Sequence, residues 1–148
     1  MKIFVDADAC PVKEEILAIA HEHDIEVAFV VSMAGYFDRG WNVEKIMVDS
    51  LPQAVDIAIV NRMGAGDIVV TQDYGLAWLA LGKKGKAISP SGYVFTDQNI
   101  DRCLQRRQMH ADARKAGIRT KGPKKRSRQD SDRFVQRFHT LLQHSVSS

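Results

Sequence analysis

Three apolar runs of this chain stop at an aspartate, and that spacing is where its chemistry is to be sought. Ile3-Phe4-Val5 runs into Asp6, with Asp8 just beyond; Val43 to Val48 ends at Asp49; Ile68-Val69-Val70-Thr71 ends in Gln72-Asp73. A further carboxylate, Asp56, lies about two turns into the helix expected after the second of these runs. If the strands carrying Asp6 and Asp73 are neighbours, Asp6, Asp8 and Asp73 converge at one crevice. Like charges held together are costly unless a cation neutralises them. Hard oxygen donors without Cys or His partners select Mg²⁺ or Mn²⁺ over zinc. Such a cluster can position a water and neutralise a phosphate undergoing in-line attack. Asp6, Asp8, Asp56 and Asp73 are therefore the candidate catalytic and metal-ligating residues.

The neighbouring residues read differently. Asp49 fits a helix cap or turn former. Asp67 begins its strand rather than ending it, ~20 Å from Asp73 at strand rise, and reads as a turn residue. Cys10 is near a helix N-terminus that would lower its pKa, but acidic neighbours oppose this, so it reads as a small packed residue. His21 and His23 fall at the far end of the first helix and are expected to face solvent. Lys13, in the first turn of that helix, is either a phosphate contact at the crevice or a simple surface lysine.

Charge divides the chain. Residues 1–101 hold 8 Lys and Arg against 15 Asp and Glu, a net of −7, whereas residues 102–148 hold 13 against 3, a net of +10. Either the basic third grips a polyanion, or it is a solvated helix face followed by a basic loop. The candidate nucleic-acid contacts are Lys13, Arg106, Arg107, Arg114, Arg119, Lys121, Lys124, Lys125 and Arg126. Cations of this kind give salt-dependent, largely sequence-independent affinity for a phosphate backbone. Aromatics are scarce on this segment, so base stacking on it is not indicated.

Strands and helices must position these groups. Strands are expected at 3–5, 25–31, 43–48, 68–71 and 86–89, with a short extension at 92–95 and residues 32–42 as loop. Helices are expected from about 11 to 23, after Ser50 as cap with Pro52 in the first turn, from 74 to 81, and from about 97 to 116 behind Thr96 as cap. Gly117 stops the last of these. Strands alternating with helices imply a mainly parallel sheet with helices on both faces, whose ligand lies beyond the carboxyl ends of the strands. The expected organisation is a single domain. It comprises an α/β body at 1–117, a basic flexible loop at 118–129 and a C-terminal amphipathic helix at 130–144 packing on the body.

Composition removes other classes. No apolar run approaches the roughly 20 residues of a membrane span, and the early Asp6 argues against a secretory signal, so a cytoplasmic location is expected. With only Cys10 and Cys103, neither a disulfide scaffold nor a four-cysteine zinc site can form.

Asp6-Ala-Asp-Ala-Cys-Pro-Val-Lys13, Gly66-Asp-Ile-Val-Val-Thr-Gln-Asp-Tyr-Gly-Leu-Ala77, Thr96 with Asn99-Ile-Asp101, and Gly122-Pro-Lys124 together resemble the YaiI/YqxD family of uncharacterised bacterial proteins. That family is similar, more remotely, to PIN-like nuclease domains. The resemblance implies a Rossmann-like (PIN-like) sheet with acidic residues binding Mg²⁺ or Mn²⁺ to cut RNA. Asp6 matches the aspartate ending the first PIN strand, Thr71-Gln-Asp73 the Thr-x-Asp of the fourth, and Asp56 the acidic residue on a mid-chain helix. After Asp73 the pattern departs, since Tyr74 to Trp78 supplies no further acid; Asp8 is the available substitute. Three functions follow as expectations: a divalent-metal-dependent ribonuclease, a non-catalytic RNA-binding module of the same fold, or a haloacid-dehalogenase-like phosphatase using Asp6 and Asp8. Against the last, Gly66-Asp67 precedes a strand where that family's Gly-Asp pair follows one.

Overall fold

In the computed structural model, which describes residues 1–33, 43–51, 53–118 and 125–146, the apolar runs become a six-stranded sheet. The strands are β1 (Lys2–Asp6), β2 (Glu26–Ser32), β3 (Glu44–Val48), β4 (Ile68–Val70), β5 (Lys86–Ile88) and β6 (Val94–Phe95). Their order is β3-β2-β1-β4-β5-β6. The first five are parallel, and β6 turns back antiparallel onto β5. This is the Rossmann-like α/β arrangement expected from the alternating strands and helices. The order reverses between β1 and β4, so the strands ending in Asp6 and near Asp73 are the central neighbours.

Alternation along each strand sends side chains to two helical layers. Ile3, Val5, Val27, Phe29, Val31, Ile68, Val70 and Ile88 pack with Ile16, Ile19 and Ala20 of α1 (Lys13–Glu22), and with Phe134, Phe138 and Leu142 of α5 (Arg128–Val146). Phe4, Ala28, Val30, Val69 and Ala87 meet α2 (Ala54–Arg62), α3 (Tyr74–Gly82) and Ile100 at the start of α4 (Ile100–Lys115). Asp6 has the parity of Phe4, and so belongs to the layer of α2 and α3.

Two helix starts lie later than the sequence suggests. α2 begins at Ala54, with Gln53 as its cap at φ 66° rather than Ser50; Pro52 lies outside the described residues. Asp56 is therefore in the first turn of α2, at the carboxyl edge of the sheet, not two turns in. α4 begins at Ile100 because Thr96 and Asn99 bond each other reciprocally: the Thr96 amide donates to Asn99 Oδ1 at 2.9 Å and the Asn99 amide to Thr96 Oγ1 at 3.3 Å. The backbone groups of that turn are thus satisfied before the helix starts.

α5 and the segment leading into it clamp the hairpin between β5 and β6. Arg126 donates to Pro90 O at 2.8 Å and Arg137 to Gly92 O at 3.0 Å. Gly92 takes φ +90°, and a Cβ there would stand 2.9 Å from backbone atoms of Arg133 and Phe134. Ser127 and Asp130 form a reciprocal capping box at the start of α5. Of the residues expected to form the loop at 32–42, positions 34–42 lie outside the described residues.

Candidate functional site

A single hydroxyl organises the switch point. Thr71, which follows β4 and is 1% exposed, donates from Oγ1 to Asp6 Oδ2 at 3.0 Å and accepts the Asp73 amide at 3.0 Å. Its own amide donates to Ile88 O at 3.0 Å, which fixes the residue against β5. Asp73 then caps α3, its Oδ1 accepting from the amides of Gly75 at 2.8 Å and Leu76 at 3.1 Å. In the sequence Thr71 reads as the end of an apolar run and as part of the Thr-x-Asp resemblance. The signal for its role is a hydroxyl residue at a strand end, two positions before a capping aspartate.

The third carboxylate comes from α2. Asp56 lies close enough to Asp73 for the two carboxylates to act on each other, and its pKa is pushed from 3.8 up to about 6. Burial is the largest cause, followed by the charges of Asp73 and Asp6, with Arg107 opposing. The Asp6 carboxyl is likewise raised, first by burial and then by Asp8 and Asp73, against the Thr71 hydrogen bond. Arg107 of α4 brings its guanidinium to 3.7 Å from Asp73 Oδ1. Both partners are partly exposed, so this contact is worth little as a stabilising pair. Its importance is positional, because it joins the acidic crevice to the basic helix.

Asp8 lies apart from this trio. Exposed on the 3₁₀ turn Ala7–Ala9, it accepts the Ser32 amide at the end of β2, at 3.0 Å and 3.2 Å from its two oxygens. Its influence on the crevice is through charge on Asp6. Asp49, exposed beyond edge strand β3, is two strand spacings from β1, or ~10 Å. Asp67 sits at the opposite edge of the sheet as a turn residue, accepting the Gly64 amide at 2.8 Å and the Lys2 amide at 2.9 Å. Cys10 is 6% exposed and its thiol is pushed up to about 11, mainly by burial, as suits a packed residue. Lys13 opens α1 close enough to Cys10 to act on its thiol. His23 departs from expectation. It does not simply face solvent but places Nε2 3.1 Å from Nδ1 of His139, because α5 docks beside the end of α1.

The basic residues separate into two groups. Arg106, Arg107 and Arg114 lie on α4, where Ile100 is the single fully buried residue and nearly everything from Gln105 onward is exposed. With Tyr74 and His110, these arginines line a groove of about 220 Å³. Arg126 is tied to Pro90 and to Ser131, and Lys125 is exposed beside it. Arg119, Lys121 and Lys124 lie outside the described residues.

The donors at the crevice are all carboxylate oxygens, and burial together with mutual repulsion raises two of them toward neutrality. Among the described residues no group of three or more His, Cys, Asp or Glu side chains stands close enough together to hold a metal ion by itself. A hard cation taking one or two carboxylates and keeping much of its water shell would draw on Asp56 and Asp73, whose charges act on each other. No helix among the described residues is long and apolar enough to cross a membrane.

Comparison with known proteins agrees with the sequence motifs. The chain is 51% identical over 142 residues to a UPF0178 protein of Exiguobacterium sibiricum, covering 96% of each chain. It is 43% identical over 143 residues to a UPF0178 protein of Alkaliphilus metalliredigens, covering 97% of this chain and 92% of that one. Among solved structures, Rae1 (YacP) from Bacillus subtilis overlaps with a TM-score of 0.45 at 16% identity, over 98% of this chain and 99% of that chain, too loosely to speak for function. The family model described as "Uncharacterized BCR, YaiI/YqxD family" matches residues 4–144, and the chain belongs to that family.

Proposed function

We propose that this protein is a divalent-cation-dependent nuclease, hydrolysing phosphodiester bonds of single-stranded RNA at Asp6, Asp56 and Asp73. The observation that carries the reading is the meeting of opposite charges at the switch point. Three carboxylates from β1, α2 and the β4–α3 turn gather there, and Arg107 brings the basic face of α4 to within 3.7 Å of Asp73. A phosphate backbone lying along Arg106, Arg107 and Arg114 is led to those carboxylates, where a bare polyanion would otherwise be repelled. Mg²⁺ or Mn²⁺, when bound, neutralises the phosphate and lowers the pKa of an attacking water. The residues of the chain do the positioning. Thr71 keeps Asp6 and Asp73 in fixed register, and Arg107 offers a cation to the phosphate. Asp8 reaches the site only through its charge. The PIN-like resemblance favours RNA over DNA.

A non-catalytic RNA-binding role is the second reading. The carboxylates of Asp8 and Asp73 already accept backbone amides, which favours a structural part for them. One experiment separates the two. Purified protein is incubated with labelled single-stranded RNA in Mn²⁺, Mg²⁺ or EDTA, beside Asp6→Asn. Cleavage that requires the cation and falls at least ~100-fold in the variant supports the nuclease. RNA that is bound but never cut supports the second reading.

A further inference from the structure

A second cavity, of about 500 Å³, shares Tyr74 and Arg106 with the α4 groove. Gln72 and Tyr74 line it while Asp73, between them in sequence, belongs to the acidic crevice. One wall is aromatic. Tyr93 stands edge-on to Phe95 with ring centroids 5.3 Å apart, and Tyr74 packs edge-on to the same Phe95 at 5.8 Å. The Tyr93 ring is 41% exposed, yet it is fixed by Phe95 and by Cys103 Sγ 3.9 Å from its hydroxyl. A rigid aromatic ring with an open side is a platform that loses little entropy on binding.

The remaining walls are cationic. Arg102 and Arg106, one turn apart on α4, have no carboxylate partner among the described residues. Arg126 enters from the far side, its guanidinium held by Pro90 O and Ser131 Oγ. Asp130, the acid at this rim, is engaged by the Ser127 amide and by Arg133. An aromatic platform beside unpaired arginines is the chemistry that takes an unstacked base with its phosphate. The volume lies within the range of small-ligand pockets.

We infer that the cavity bounded by Tyr74, Tyr93, Arg102 and Arg106 is a nucleotide subsite. It holds one base of a single strand against Tyr93 while the adjoining phosphate lies on the two arginines. The subsite rests on the proposed nucleic-acid substrate, and its aromatic wall comes from outside the basic segment, on which base stacking is not indicated. The basic third lacks aromatics of its own, but the β5–β6 hairpin supplies them. Because the subsite and Asp73 share one turn, a base held here sets the register of the strand across the carboxylates.

The test is a binding measurement in EDTA, so that it does not depend on cleavage. Fluorescence anisotropy of the full-length protein is read with a labelled RNA octamer and with octamers carrying one abasic nucleotide at each position in turn. In the wild-type chain, one abasic position is expected to cost about ten-fold in affinity. Tyr93→Ala should lose a similar factor for the intact strand and become indifferent to the abasic site at that position. Tyr93→Phe should behave as wild type. Arg102→Gln with Arg106→Gln should weaken every octamer alike. If the intact strand binds Tyr93→Ala as tightly as wild type, and every abasic position costs the two proteins the same, the subsite is overturned while the nucleic-acid reading stands. If no octamer binds the wild-type chain, both fall together.

Discussion

Replacing Asp56 with asparagine should stabilise the fold at neutral pH and leave it nearly unchanged in acid. The Asp56 carboxyl is displaced from 3.8 to about 6, first by burial and then by Asp73 and Asp6. The folded chain thus holds this proton more tightly than the unfolded chain does. The cost of the ionised group is absent below pH 3.8, grows between 3.8 and about 6, and is complete above. At about 1.4 kcal/mol per pH unit the ceiling is ~3 kcal/mol. Asp56 is only half-buried, so solvent screening brings the expected gain to ~1 kcal/mol. Asparagine keeps the shape and hydrogen-bonding capacity while removing the charge. Urea denaturation of wild type and Asp56→Asn at pH 4, 5.5 and 7.5 reads the difference directly, since groups common to both chains cancel. A variant less stable than wild type at pH 7.5, or a gap that does not change with pH, would show that ionised Asp56 does not burden the fold.

Other positions give further tests. Thr71→Val should cost ~1–3 kcal/mol in chemical denaturation, because it leaves the Asp73 amide without its acceptor, and Thr71→Ser should recover most of that loss. Gly92→Ala combines a positive φ with a 2.9 Å approach to α5 backbone, so a drop of more than ~1 kcal/mol is expected by thermal unfolding. Phe138→Ala, at a fully buried ring of α5 stacked on Phe134, should cost ~3–5 kcal/mol. On RNA, Arg114→Gln should flatten the dependence of log affinity on log salt by about one phosphate contact without changing sequence preference; an unchanged slope would remove Arg114 from the interface.

Interactions between residues close in the chain leave a trace in the sequence, and those made across the fold do not. Asp6 and Asp73 were legible because each ends an uninterrupted apolar run, and a buried parallel strand has few other signatures. The layer that each strand residue joins follows from simple alternation, which is why Asp6 could be expected near the helices that follow β3 and β4. Asp8 was harder. Its partner, the Ser32 amide, is 24 residues away and becomes a neighbour only when β2 pairs with β1. The start of α2 was misread because Ser50 and Pro52 form a plausible local cap, whereas the chain turns at Gln53 through a positive φ that no strong residue preference announces. His23 meets His139 across 116 residues, and Tyr93 meets the arginines of α4 only because β6 folds back on β5. Contacts made by docking leave no periodic trace in either segment.

If Asp6, Asp56 and Asp73 hold the proposed cation, Mn²⁺ binding must be accompanied by a countable release of protons. At pH 6 Asp56 is close to half-protonated, so a cation bound there must displace a fraction of a proton. Calorimetric titration in buffers of different ionisation enthalpy should show one Mn²⁺ bound with about half a proton released at pH 6 and little release at pH 8. Asp56→Asn should bind more weakly and release less. Binding with no proton release at pH 6, or Mn²⁺ affinity unchanged in Asp56→Asn and Asp73→Asn, would rule out a cation at these carboxylates.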